Sequence, residues 1–159
     1  MNSITKQRLA RALGYAGLIP FLYLAFALIE STQSRRSAGP WLVIFMIAYG
    51  AVILSFVGAL HWAICLQREE LGAGWLVWSV VPSLIGFAAI CGAFAANDQL
   101  NQQKWTALVV IMGFVAQLAA DFRMRNILTA AVWPDWFMRL RVQLTAVACA
   151  SLAVLMFIR

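Results

Sequence analysis

The chain has 159 residues, of which 64% are hydrophobic and 11% charged, and its formal net charge is +6. A soluble domain of this size needs about a quarter charged residues to cover its surface, so the composition excludes an ordinary soluble protein. The excess of Lys and Arg does not indicate nucleic acid as a partner, because these residues fall between apolar runs. There they act as orientation signals and as contacts to lipid headgroups, so the predicted partner is the lipid bilayer.

Five apolar runs predict an all-α fold, an integral membrane bundle of five transmembrane helices in a single domain that covers 1–159. The first run is predicted to be an uncleaved helix that is kinked at Pro20. The segment 121–141 is predicted to be a polar or amphipathic connection, with a short interfacial stretch that begins at Pro134. The predicted spans cover about 12–29, 41–66, 74–96, 105–120 and 142–158.

The connections carry unequal numbers of basic residues. Those on the side of the N-terminus are Lys6, Arg8, Arg11, Arg68, Arg123, Arg125, Arg139 and Arg141, and those on the other side are Arg35, Arg36, Lys104 and Arg159. This excess predicts an N-terminus inside and a C-terminus outside. Because the chain starts at Met1 without an Arg-rich and Ser-rich transit segment, the bacterial inner membrane is favoured over the mitochondrial inner membrane.

Little in the sequence points to catalysis or to a metal. Cys65, Cys91 and Cys149 each lie within an apolar run and show no metal-ligand spacing, so we expect small buried hydrophobic residues. Because the chain has one His, two histidines of the same chain cannot ligate a haem, although a pair of His61 with a Met is conceivable. No nucleophile motif or Gly-rich phosphate loop occurs, so an enzyme is the least supported class. We therefore assign no catalytic residue, and the sequence does not identify a cofactor.

Ionisable residues inside spans are costly, so His61 is a functional hypothesis. It shares a helical face with Gly50 and Gly58, whose missing side chains leave space for another helix or for a flat ligand. The alternative is a histidine that only hydrogen-bonds a neighbouring helix.

The fourth span carries Gly113, Gln117 and Asp121 on one face that grows more polar along the helix, and Arg125 follows one turn later. We expect an ion pair between Asp121 and Arg125. This face is either a helix end that meets water or a polar surface that points into the bundle beside His61.

The third span begins with Trp75 and Trp78, which share a face with Pro82 and Gly86. Tryptophans at the start of a span are usually interfacial anchors, and the alternative is an aromatic wall for a planar ligand. Together with His61, the carboxylate and the arginines, they would lie near the inner headgroup boundary. Such a set suits an amphiphile with a polar head, for example a quinone or an acidic phospholipid, or it is simply a set of solvated helix ends.

Four stretches of the sequence resemble a known family. They are the run from Tyr49 to Trp62, the run from Trp133 to Trp136, the run from Arg139 to Thr145, and the opening from Leu13 to Phe21. In them the chain resembles domain of unknown function 3429, a family of small membrane proteins that includes transmembrane protein 69. The resemblance implies a multi-helix protein of bacterial or mitochondrial inner membranes, without an established reaction.

The resemblance places four residues on the family's motifs and so strengthens them as candidates. They are His61, Trp62, Arg139 and Arg141. Combined with the faces above, the predicted ligand-binding residues are His61, Trp62, Trp75, Trp78, Gln117, Asp121, Arg139 and Arg141.

Three functions follow from these patterns. The first is a non-enzymatic accessory or assembly component of an inner-membrane complex, with a membrane-protein partner or a second copy of the chain. The second is a binder or carrier of a hydrophobic small molecule, a quinone, a lipid or a tetrapyrrole. The third is a proton or ion pathway through His61 and Asp121.

Overall fold

The computed structural model describes residues 3–33, 40–96, 99–128 and 132–158, and these residues form an all-helical bundle. Five stretches are long and apolar enough to cross a membrane, which confirms the predicted fold class. Three basic residues used for the predicted orientation, Arg35, Arg36 and Arg159, lie outside the described residues, and the orientation stays a prediction. The helices are α1 (Ser3–Ala16), α2 (Ile19–Gln33), α3 (Pro40–Cys65), α4 (Ala73–Ala95), α5 (Leu100–Ile127) and α6 (Asp135–Phe157).

The first span consists of two helices. The chain breaks at Gly17 and Leu18, so the expected kink at Pro20 is a break that lies shortly before the proline. Pro20 occupies the first turn of α2, where its missing N–H costs no helical hydrogen bond. The Tyr49 hydroxyl of α3 donates to the Gly17 carbonyl over 2.8 Å and thereby gives a backbone group at the break a partner.

The segment 121–141 is mostly helical, so its prediction as a connection was wrong. Helix α5 continues to Ile127 and α6 begins at Asp135. Pro134 directly precedes α6, and Asp135 lies in its first turn, where a carboxylate stabilises the helix dipole. The hydropathy of the sequence did not predict these helical turns because they carry polar residues. Two of these residues, Asp121 and Arg141, direct their side chains into the bundle.

Helix α3 is the centre of the bundle, and it packs closely against α4. A Cβ at Gly58 would lie 2.9 Å from Pro82 Cγ, and a Cβ at Gly86 would lie 3.0 Å from the Ala51 carbonyl oxygen. Because glycine has no side chain, Gly58 and Gly86 let the backbones of α3 and α4 approach each other closely. A Cβ at Gly50 would meet side chains of α5 and α6. Neighbouring helices therefore fill the space beside Gly50 and Gly58 on the His61 face.

Two apolar clusters stabilise the bundle, and the polar residues lie between them. On α3, Val57 belongs to the main core and Ile64 packs on the second cluster, and His61 lies between them. On α5, Phe114 belongs to the main core and Met124 to the second cluster. The second cluster, which we call the end cap, consists of Leu71, Met124, Leu128, Trp133 and Met138. It covers the polar residues from the nearer end of the bundle.

Candidate functional site

Four helices bring polar side chains together beneath the end cap. His61 of α3 and Gln117 and Asp121 of α5 have no exposed surface, and Arg141 of α6 is 6% exposed. Trp78 of α4 is hydrogen-bonded to Gln117. We call these five residues the His61 cluster. Six of the eight predicted ligand-binding residues are thus brought together, since Trp75 also contacts the His61 ring.

The Asp121 carboxylate is the acceptor at the centre of the His61 cluster. Its Oδ1 lies 2.8 Å from His61 Nε2, and its Oδ2 lies 2.7 Å from Arg141 Nη2 and 2.8 Å from Arg141 Nε. A buried carboxylate without such donors would be strongly destabilising, so this arrangement explains how a membrane span tolerates Asp121. The alternative of a helix end that meets water is wrong for this residue.

The expected ion pair between Asp121 and Arg125 is also wrong. Arg125 Nη2 lies 2.6 Å from Asp135 Oδ1, and the two side chains are 39% and 65% exposed. Asp121 faces the bundle interior, where Arg141 meets it, while Arg125 reaches outward to the start of α6. Spacing along one helix could not reveal these partners, because both belong to a different helix.

The Gln117 amide contacts the ring of His61 and the carboxylate of Asp121. Its Nε2 lies 3.3 Å from His61 Nδ1, 3.4 Å from His61 Nε2 and 3.3 Å from Asp121 Oδ1. Because the Nε2 contact of His61 to Asp121 is the shortest, we assign the ring proton to Nε2 and let Nδ1 accept from Gln117. Trp78 Nε1 donates to Gln117 Oε1 over 3.2 Å. The Asp121 carboxylate thus lies between the imidazole of His61 and the guanidinium of Arg141.

Two tryptophans enclose the histidine ring. The Trp75 and Trp133 rings lie 5.8 and 6.2 Å from it, both in edge-to-face geometry. Trp133 is 1% exposed and belongs to the end cap. Its indole Nε1 has no hydrogen-bond partner among the described residues. Trp133 was missing from the predicted site, although it begins one of the runs that carry the family resemblance.

Trp62 and Arg139 lie outside the His61 cluster. Both side chains are exposed, since each follows a helical direction that points away from the bundle. Trp62 is adjacent to His61 in the chain, and adjacent residues of a helix do not share a face. Their role in binding a ligand stays a prediction.

Among the cysteines, Cys91 differs from the expectation of burial. It is exposed on the outer surface of α4, whereas Cys65 and Cys149 are partly buried. In the described parts of the chain, no group of three or more His, Cys, Asp or Glu side chains could hold a metal ion.

The first cavity beside the His61 cluster is a groove between α1, α2, α3 and α6. It has a volume of about 570 Å³, and Arg141 and Thr145 provide its polar side chains. The rest of its surface is almost entirely apolar. We call it the Arg141 groove, and its larger apolar side chains include Leu13, Phe21, Phe56, Val57, Phe137 and Leu144.

The second cavity lies on the other side of the cluster, between the start of α4 and α5. It has a volume of about 620 Å³, with Trp75 and Trp78 as aromatic walls and Arg123 as its charged residue. We call it the Arg123 pocket; its other lining residues are Gly72, Gly74, Ala116, Ala119 and Ala120. Of the predicted ligand-binding residues, Arg141 lines the groove and Trp75 and Trp78 line the pocket, whereas neither lining includes His61, Gln117 or Asp121.

Comparison with known proteins agrees with the resemblance seen in the sequence. Residues 6–157 match the family described as "Protein of unknown function (DUF3429)". The chain belongs to this family. Transmembrane protein 69 of Xenopus tropicalis is 34% identical over 143 residues, covering 88% of this chain and 50% of that protein. Transmembrane protein 69 of Mus musculus is 28% identical over 142 residues, covering 87% and 51%.

This family member therefore spans about half the length of the curated relatives it matches. No solved structure matches the chain. The match covers all five spans apart from Ile4 and Thr5 of the first, so the His61 cluster and both cavities lie inside the family region.

Proposed function

We propose that this integral membrane protein binds a lipid-soluble small molecule in the Arg141 groove, with a neutral head that accepts hydrogen bonds, as in a quinone. One observation carries the proposal. Arg141 and Thr145 line a cavity of about 570 Å³ that is otherwise almost entirely apolar. A few polar groups in an apolar cavity of this volume are typical of small-molecule sites.

The pairing of Arg141 favours a neutral head over an anionic one. Asp121 already accepts hydrogen bonds from Arg141 Nε and Nη2, so the pair has no net formal charge. An anion would compete with the carboxylate for the guanidinium. In the described residues neither Arg141 Nη1 nor the Thr145 hydroxyl has a hydrogen-bond partner. A ligand carbonyl would accept from both without breaking the ion pair.

The groove is accessible from the lipid phase. Phe56 lines it and is 75% exposed, so the rim of the groove faces the outer surface of the bundle. A molecule dissolved in the bilayer would enter sideways and leave its apolar tail between Phe56 and the side chains of α1 and α6. His61 does not line the groove, so we assign it a positioning role: it helps to hold Asp121, and Asp121 holds Arg141.

The proposal is tested by equilibrium binding of a decyl-substituted benzoquinone to the protein in lipid nanodiscs. Thr145→Val removes one donor and should weaken binding about fivefold, which corresponds to roughly 1 kcal/mol. Ala59→Leu, at an exposed position that lines the groove, should weaken it further by filling the mouth. Ala119→Leu is the matched control, because Ala119 is also exposed but lines the other cavity.

Equal affinities in the wild type, Thr145→Val and Ala59→Leu would refute binding in the groove. Weaker binding in Ala119→Leu alone would move the quinone to the Arg123 pocket. Circular dichroism and size-exclusion chromatography of each variant separate a lost site from a lost fold.

The accessory role in an inner-membrane complex stays a prediction, as do the bacterial inner membrane and the inside position of the N-terminus. Co-purification from mild detergent tests the accessory role, and a chain that always elutes as a lone monomer would contradict it. A ligand-binding groove is compatible with such a role, since the ligand would then be shared with the complex.

The proton or ion pathway is a weaker proposal than quinone binding. His61 and Asp121 are adjacent and could exchange a proton, but the end cap covers them on one side and the main core on the other. Proteoliposome flux that is the same in the wild type and in the double alanine variant of these two residues would refute it.

A further inference from the structure

The Arg123 pocket owes its volume to a difference in side-chain size between two helices. Helix α4 contributes two indoles, Trp75 and Trp78, whereas α5 contributes the small residues Ala116, Ala119 and Ala120. The alanines do not fill the space that the indoles hold open, and about 620 Å³ is left between them.

The walls of this pocket are held in place by the His61 cluster. Trp78 donates its indole N–H to Gln117, and the Trp75 ring contacts the His61 ring edge to face. Both indoles are therefore fixed from behind by buried residues. Indoles at the end of a span prefer the headgroup level of the bilayer, where an apolar ring borders on polar groups.

The charge of Arg123 is not balanced by any residue that lines the pocket. None of these residues is acidic, and in the described part of the chain Arg123 makes no ion pair or side-chain hydrogen bond. Two nearby arginines do have acidic partners, since Arg125 pairs with Asp135 and Arg141 pairs with Asp121. An unpaired guanidinium that lines a cavity favours an anionic group, and a phosphate suits its planar set of donors.

An apolar path continues from the pocket along α5. Met112 and Val115 lie one helical turn before Ala116 and Ala119 on the same face, and they are 59% and 50% exposed. A ligand with its anionic group at Arg123 would lay its apolar part over these two residues. This extension distinguishes a lipid from a free anion in solution.

We propose that the Arg123 pocket binds the headgroup of an acidic phospholipid, with the phosphodiester at Arg123, the glycerol region between the indoles, and an acyl chain along Met112 and Val115. The site is separate from the Arg141 groove and does not depend on the proposed quinone binding. Its selectivity for anionic lipid comes from the unpaired guanidinium, and its position at the end of the bundle matches the depth of phosphates in a bilayer.

The experiment exchanges the purified protein into micelles with equal amounts of phosphatidylglycerol and phosphatidylcholine, and native mass spectrometry then counts the retained lipids. We expect a selective retention of phosphatidylglycerol that falls about tenfold in Arg123→Gln, since a charge-assisted hydrogen bond is lost. Arg123→Lys should keep most of it. Ala119→Leu should reduce it by filling the pocket.

Two control variants test whether the effect is specific to the Arg123 pocket. Arg68→Gln removes an exposed basic residue that lines neither cavity, and it should leave retention unchanged. Ala59→Leu fills the mouth of the Arg141 groove and should also have no effect, so a failure of this proposal and a failure of quinone binding are distinguishable.

Several outcomes would overturn the proposal. Equal losses in Arg123→Gln and Arg68→Gln would show a general attraction to basic surface. Both lipids carry a phosphodiester, and only phosphatidylglycerol has a net negative headgroup. Equal retention of the two would therefore show that the net charge of the headgroup is not recognised. Displacement of phosphatidylglycerol by millimolar inorganic phosphate would identify a site for a free anion instead of a lipid. If Arg123→Gln alters the circular dichroism spectrum, Arg123→Lys is used in its place. A loss of phosphatidylglycerol from Arg123→Lys would also count against the site.

Discussion

Arg141 belongs to the His61 cluster and Arg123 does not, and although each lines one cavity, their surroundings are opposite. Arg141 is 6% exposed and its Nε and Nη2 donate to Asp121, whereas Arg123 is exposed and makes no ion pair among the described residues. A buried cation needs a carboxylate because desolvation would otherwise cost several kcal/mol. An exposed cation has no such need. Arg141 therefore stabilises the fold, and only the N–H groups that do not donate to Asp121 are available to a neutral ligand. The exposed Arg123 is available to an anion.

The largest effect should come from Asp121→Ala, which removes the acceptor on which this comparison depends. Arg141 would be left buried without a counter-ion, and His61 would lose its acceptor. Breaking one side of a buried pair costs about 3–5 kcal/mol, so we expect a large loss of folded protein in detergent. The free energy of unfolding by SDS titration or the thermal midpoint measures it.

The matched control is Asp135→Ala, which breaks the exposed pair with Arg125. Exposed ion pairs contribute about 0–1 kcal/mol, so this variant should unfold close to the wild type. If both aspartate variants cost the same, the His61 cluster is not a low-dielectric site, and the contrast between the two arginines would have no energetic basis.

A smaller effect is expected from Gly58→Ala at the contact of α3 with α4. The new Cβ would lie 2.9 Å from Pro82 Cγ and 3.0 Å from the Ser79 carbonyl oxygen, and neither atom belongs to a flexible side-chain end. Overpacking costs about 1–3 kcal/mol, which exceeds the gain of about 1 kcal/mol in helix propensity. We therefore expect net destabilisation. Because α4 carries both indole walls, the phosphatidylglycerol retained by the Arg123 pocket should also decrease.

The comparison for this variant is Gly74→Ala, where a Cβ would meet no atom within 4 Å. Stability there should stay the same or rise slightly, since alanine is the better helix former. Equal destabilisation by the two changes would indicate that helix propensity, and not the close contact of the two backbones, determines the outcome.

The apolar runs were sufficient to predict the five spans, since lipid demands about 20 apolar residues from each crossing helix. They were insufficient at the ends of α5 and α6. Asp121 and Arg141 directly border the predicted spans, but in the structure both lie within helices and pair with each other inside the bundle. Pairing between helices is a property of three-dimensional contact, and a periodicity along one helix carries no information about it.

The same reason explains which site residues could be predicted. His61, Gln117 and Asp121 were identified because polar groups in spans are costly, and all three are fully buried. Their arrangement as a seal between two cavities was not predictable, because it depends on which residues of α4 and α6 face them. Trp133 was missed because its burial is created by the end cap, whose residues come from separate parts of the chain.

The smallest effect should come from Arg11→Gln, which changes a wall of the Arg141 groove and leaves the Arg123 pocket untouched. The Arg11 guanidinium lies 5.6 Å from the centre of the Trp136 ring and attaches α1 to α6. Such a cation–π contact contributes about 0.5–1 kcal/mol, so amide hydrogen exchange in α1 should accelerate about two- to fivefold. Quinone affinity should fall by at most the same factor, and retention of phosphatidylglycerol should not change. Arg8→Gln, also exposed on α1, is the control, and equal acceleration in both variants would show that the loss of positive charge on α1, and not the contact with Trp136, loosens the groove wall.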